Sequence, residues 1–202
     1  MKSSCGVDFK KFVPKFDAIL AKGLSQGLGS RDSQVCIEAA VCAALDLPHG
    51  DDPKCVSEAV RSFKIRLNDA NWSSPQARAK GLRALGIAQV GSKGVVDDVE
   101  FAKRVAEQTI RVLIPKLFRS CFKGNVKLEE LADRCEKEGT EDAARAAAWA
   151  AEAAARAAAA AASAAEAAAS AAAWAADEYL ILSANIALSV LRELKSPGCE
   201  YV

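Results

Sequence analysis

Cysteine, histidine and aspartate crowd into one short stretch of the chain, as Cys36, Cys42, His49, Asp51, Asp52 and Cys55. Two chemistries use those residue types. Structural zinc takes its cysteines in pairs two to four residues apart. Cys36 and Cys42 are six apart, which on a helix separates them by about 120°, and His49 is the sole histidine. The spacing therefore predicts no metal site. A thiolate at Cys55, activated by His49 and oriented by an aspartate, has the composition of a nucleophilic site. That reading, a cysteine-dependent hydrolase, ranks third behind two binding readings, and no residue is assigned a catalytic role. The plainer expectation is that Cys36 and Cys42 are small core residues, that Asp52 caps a helix and that His49 sits in a turn.

A second group gathers Lys64, Arg66, Asn68, Asp69, Asn71 and Trp72, with Arg78 and Lys80 shortly after. Trp72 offers a stacking face, Arg66, Arg78 and Lys80 offer contacts to an anion, and Asn68 and Asn71 offer hydrogen-bonding edges. Such equipment suits a nucleotide-like anionic ligand. The candidate ligand-binding residues are accordingly Arg66, Asn68, Asp69, Asn71, Trp72, Arg78 and Lys80, on a surface spanning 61–83. Residues 61–123 hold 13 Lys/Arg against 5 Asp/Glu, which reinforces the preference for an anion. The competing reading makes Asn68 and Asp69 turn residues and Trp72 a core anchor. With no glycine-rich phosphate loop, helix-turn-helix signature or aromatic platform, nucleic acid is not an expected partner.

The elements that must carry these residues are helices. Between Ala143 and Ala176, 26 of 34 residues are alanine, and the eight others recur at steps of three, four or seven. At about 100° per residue they fall on one stripe about 100° wide. The remaining face is bare alanine, which lets a neighbouring backbone come close. That face is expected to be buried by a neighbouring helix, so that Ala158→Leu or Ala165→Leu overpacks it. Trp149 and Trp174 share the polar stripe as candidate anchors for a partner. Residues 157–176 are too alanine-rich, with Glu166 among them, to read as a membrane span.

Helix starts are well punctuated. Phe9, Phe12, Phe16 and Leu20 describe an opening amphipathic helix, and Val35 to Leu45 a short buried one. Asp52-Pro53 and Ser74-Pro75 each pair an N-cap with a proline at the first helical position. Asp97 with Glu100 forms a capping box into 98–122, where Pro115 should kink the chain. A further helix spans 128–138 up to Gly139, and Thr140 caps the alanine helix. Leu180 to Leu194 carries an ordinary core stripe. A single straight helix from 141 to 195 would reach about 80 Å, against a radius near 16 Å for a compact domain of this size. A break near Asp177, or a protruding helix covered by another subunit, is expected.

Three segments, Val35-Cys36-Ile37-Glu38-Ala39-Ala40 ahead of Leu47-Pro48-His49-Gly50-Asp51, Arg66-Leu67-Asn68-Asp69-Ala70-Asn71-Trp72-Ser73-Ser74, and the terminal Ser196-Pro197-Gly198-Cys199-Glu200-Tyr201, together with the alanine tract, resemble a group of alanine-rich proteins of bacteria and phages. The resemblance spans most of the chain and implies a phage or mobile-element setting, with no activity and no site residues attached. The tract is also similar to the Ala/Arg-rich helices of some bacterial immunity proteins.

The sequence thus predicts an all-α protein, a helical bundle with a long alanine-rich helix as its central or interface element. Residues 1–139 would form a multi-helix domain, and 140–202 the alanine helix and C-terminal helix packed on the same core. Its expected function is non-catalytic binding, through homo-oligomerisation or a protein partner. The alternative is capture of the nucleotide-like anion by the 61–83 surface. No cofactor is implied. The first residues carry no apolar signal segment and the seven cysteines are odd in number, so a cytoplasmic setting with reduced thiols is expected.

Overall fold

The computed structural model describes residues 6–147 and 169–202, the side chains of 169–176 excepted. The expectations for Trp149, for the side chain of Trp174 and for substitutions at Ala158 and Ala165 fall outside that description. Among the described residues the chain is all-α, without strands. No described helix is long and apolar enough to cross a membrane.

Local caps explain most helix starts. Helix α1 (Phe9–Leu20) opens where the Lys10 amide donates to Asp8, and α2 (Ile37–Ala44) where the Ala39 amide donates to Cys36 Sγ at 3.3 Å. Helix α4 (Pro75–Ala88) starts at the expected Ser74-Pro75, with the Ala77 amide on Ser74 Oγ at 3.0 Å. Helix α5 (Asp98–Gln108) follows the expected capping box, the Glu100 amide donating to Asp97 at 2.8 Å. Helix α3 (Glu58–Asn68) departs from expectation: it starts at Ser57, not at Asp52-Pro53. Asp52 pairs with Lys54 instead. Ser57 is held in capping position by Ser92 Oγ, which accepts its amide at 2.9 Å, and by Asp98, which accepts its hydroxyl.

Contacts divide the chain into two units, Met1–Lys103 with Ala176–Val202, and Arg104–Ala175. In the first unit α1 packs on α2 and α4, and α2 on α3 and α4. Phe12, Phe16, Ile37, Val60, Leu82 and Leu191 are fully or almost fully buried there. Helix α8 (Ala169–Glu193) ends in a left-handed Lys195 and a 3-10 turn, Pro197–Tyr201. That turn is fastened to the end of α4: Ser196 Oγ donates to the Ala88 carbonyl at 2.6 Å and the Gly198 amide to that of Val90 at 3.0 Å. A Cβ at Gly198 would lie 2.1 Å from the Ile87 oxygen, so only glycine fits. Tyr201 then stacks on Phe9, ring centroids 4.1 Å apart.

No break occurs at Asp177, which lies inside α8. Its carboxylate accepts the Ser73 amide at 2.9 Å and the Ser73 hydroxyl, and so is engaged by another segment and not by its own helix amides.

In the second unit, Thr109–Leu113 forms a π-helical turn between α5 and α6 (Ile114–Cys121). The Ile114 amide donates to the Thr109 carbonyl, five residues back, just ahead of Pro115, where the kink was expected. Helix α7 (Val126–Glu138) ends at Gly139 with φ +64°. Residues 141–147 are helical. Phe118, Leu128, Ala132, Cys135, Ala143 and Ala147 form this unit's core.

Candidate functional site

The 61–83 residues sort into two sets. Asn68, Asp69, Trp72 and Arg78 hold the first unit's own backbone. Asn68, 1% exposed, accepts the Ile37 amide at 3.2 Å and donates to the Ser25 carbonyl at 3.0 Å. Asp69 accepts the Gly27 amide at 2.8 Å, and its carbonyl accepts Gln26 Nε2 at 2.7 Å. Trp72 Nε1 donates to the Leu67 carbonyl at 2.9 Å, and its ring edge fills the space beside Gly81. Arg78 donates to the Leu24 carbonyl at 2.8 Å, and burial draws its guanidinium below the ordinary value. Together they clamp the 24–29 loop onto the end of α3. Arg66, Asn71 and Lys80 remain exposed. Lys80 lies beside Arg83 and Asp17 in a shallow depression.

Beneath that clamp is a feature the sequence reading missed. Glu38 of α2 and Lys64 of α3 are both 0% exposed and lie 3.2 Å apart. Gln89 Nε2 donates to the second Glu38 oxygen at 2.9 Å. Burial pushes the Glu38 carboxyl up, opposed by Lys64, and pushes the Lys64 ammonium down, opposed by Glu38. Closed off from solvent, this group holds α2, α3 and α4 together and offers no ligand access.

The cysteines and His49 do not assemble into one site. Burial pushes the Cys42 thiol up to about 11 and raises that of Cys36. Protonated thiols of this kind are poor nucleophiles and poor metal ligands. Cys55 and His49 line different concavities. Among the described residues no group of three potential ligands gathers for a metal.

Accessible polar groups converge elsewhere, in a cleft of about 430 Å³ between the end of α1, the 29–35 loop and the turn after α2. Lys22, Arg31 and Ser33 supply its donors, His49 lines it, and Ile19, Val35, Ala43 and Leu47 form its apolar wall. Arg31 is steadied by the Leu47 carbonyl at 3.2 Å, and His49 Nε2 lies 3.3 Å from the Gly29 carbonyl, to which it donates as the Nε2–H tautomer. The volume lies within the range of small-molecule sites. Among the described residues neither Lys22 nor Arg31 pairs with a carboxylate. Asp46, also on the rim, is held by Lys15 at 2.6 and 2.8 Å.

A second cavity of about 330 Å³ shares Asp46 and Leu47 with the first. Its cations are already matched, Lys54 with Asp52, Lys15 with Asp46, and Lys11 with Asp8 at 3.9 Å. No short motif unites these cleft residues; the two loops and the ends of α1 and α2 bring them together. No protein-family model, no curated protein and no solved structure matches the chain.

Proposed function

We propose that the protein is a binding protein for a small oxyanion, a carboxylate or a phosphate ester, held in the cleft of Lys22, Arg31, Ser33 and His49. The observation that carries this reading is the pairing of two cations, which among the described residues meet no carboxylate, with the Ser33 hydroxyl around a cavity of about 430 Å³. An arginine fork gives such an anion charge-assisted hydrogen bonds, and the partly apolar wall lowers the local dielectric beside them. The test is calorimetric titration of the full chain with inorganic phosphate and with acetate. Binding should weaken as salt rises, because the site is open to solvent, and Arg31→Ala and Lys22→Ala should each weaken it at least tenfold. Arg66→Ala, on the surface first expected to hold the anion, should leave it unchanged. No heat with either anion, or equal binding by Arg31→Ala, would refute the cleft.

Self-association stands beside this reading as a second proposal, supported by the alanine face of 143–176.

A further inference from the structure

Given the anion cleft proposed above, we infer that its ligand is amphiphilic: the oxyanion sits among Lys22, Arg31 and Ser33, and an apolar chain runs over Leu47 into the neighbouring cavity. Two observations carry this beyond anion binding itself. First, the two cavities adjoin, with Asp46 and Leu47 lining both. Second, their charges differ. Among the described residues Lys22 and Arg31 meet no carboxylate, whereas Lys11, Lys15 and Lys54 in the second cavity each face an aspartate, Lys11 at the longest distance, 3.9 Å. A second anionic group would have to displace those partners.

What the second cavity offers instead is apolar surface, chiefly from Val7, Leu45 and Leu47. Its volume of about 330 Å³ has room for on the order of ten groups the size of a water molecule at about 30 Å³ each, the bulk of a medium-length alkyl chain. The class of ligand is therefore a medium-chain carboxylate or an alkyl phosphate.

The test titrates the full chain with acetate, butanoate, hexanoate and octanoate and follows the backbone amide shifts of Arg31 and Val7. All four acids should shift Arg31, only the longer ones should shift Val7, and Kd should fall about fourfold per added methylene until the cavity is full. Val7→Asp should abolish that gain and leave acetate binding as it was. Val7 precedes the Asp8 cap of α1, outside any helix, and a thermal melt checks that the variant folds. The Val7 amide shift in the unsubstituted protein reads the same contact independently. Equal affinity for all four acids, with Arg31 still responding, overturns the amphiphile and leaves the anion cleft standing. No response to acetate, with octanoate binding unaffected by Arg31→Ala, overturns both.

Discussion

Lys64 carries its ammonium into the core with no solvent exposure, and Glu38 answers it at 3.2 Å. Removing one partner of such a pair leaves the other charge buried and uncompensated, which costs about 3–5 kcal/mol, whereas replacing both by apolar groups is often neutral or stabilising. Lys64→Met and Glu38→Leu should each lower the melting temperature sharply, and the double variant should recover most of the loss. Additive losses in denaturant titrations would show that the two residues act apart. The pH dependence follows from the sign of the Glu38 shift. Burial raises its folded value above the ordinary 4.5, so its contribution to stability is fullest below 4.5 and is lost as pH rises through the folded value. Lys64 opposes that rise. In Lys64→Met the opposition is gone, and the deficit relative to the unsubstituted protein should be smallest near pH 4.5 and grow toward about pH 7. A deficit that stays constant across this window would contradict the assignment. The signal for the pair was present in the sequence. Glu38 interrupts an apolar run, and Lys64 falls in register with the buried Val60 and Leu67, at steps of four and three. What the sequence lacked was the packing of α2 on α3 that makes them partners.

At the scale of the elements, caps whose contacts are local were legible and caps chosen by tertiary packing were not. Ser74-Pro75 and Asp97 act within three residues of themselves. Asp52-Pro53 has the same composition, yet α3 begins at Ser57 because Ser92 and Asp98 hold Ser57 there from 35 and 41 residues away. Ser57→Ala should therefore cost about 1 kcal/mol or somewhat more, the usual loss of an N-cap together with the Asp98 contact. Asp52→Ala, on an exposed pair, should leave stability almost unchanged. Chemical denaturation of both variants checks this, and the reverse order would restore Asp52 as the cap. The π-helical turn has a comparable origin. Proline lacks the amide that the carbonyl of residue 111 would otherwise receive, so Pro115 accounts for a disturbance, but its form is tied to Arg111. That side chain donates to the carbonyls of Glu136, Lys137 and Glu138 at 3.0, 2.7 and 3.0 Å and so neutralises the C-terminal end of α7. A π-turn is often functional; this one positions an arginine for structure.

At the scale of the whole molecule, the all-α class was legible because alanine content, helical spacing and turn residues agree, whereas the anion cleft was not, because Lys22, Arg31 and His49 share no motif. The basic balance of 61–123 suggested an anion on a surface other than the proposed cleft. Charge also bears on self-association. Residues 126–178 hold 5 Lys/Arg against 11 Asp/Glu, which suggested that acidic and basic halves of two copies attract. Part of that complementarity is already satisfied within one chain. Arg119 bridges Asp133 and Glu136, both at 2.6 Å, and Arg83 pairs with Asp17. An assembly built on alanine faces depends on close packing and apolar burial, which salt does not screen, whereas one built on exposed charge weakens beyond a Debye length of about 10 Å at 0.1 M. Light scattering should therefore give a mass above the 21.2 kDa of one chain, and the same mass at about 0.1 M and about 1 M salt. A mass that falls to the single-chain value at high salt would assign the interface to charge, and the single-chain value at both would leave the alanine face without a second copy to cover it.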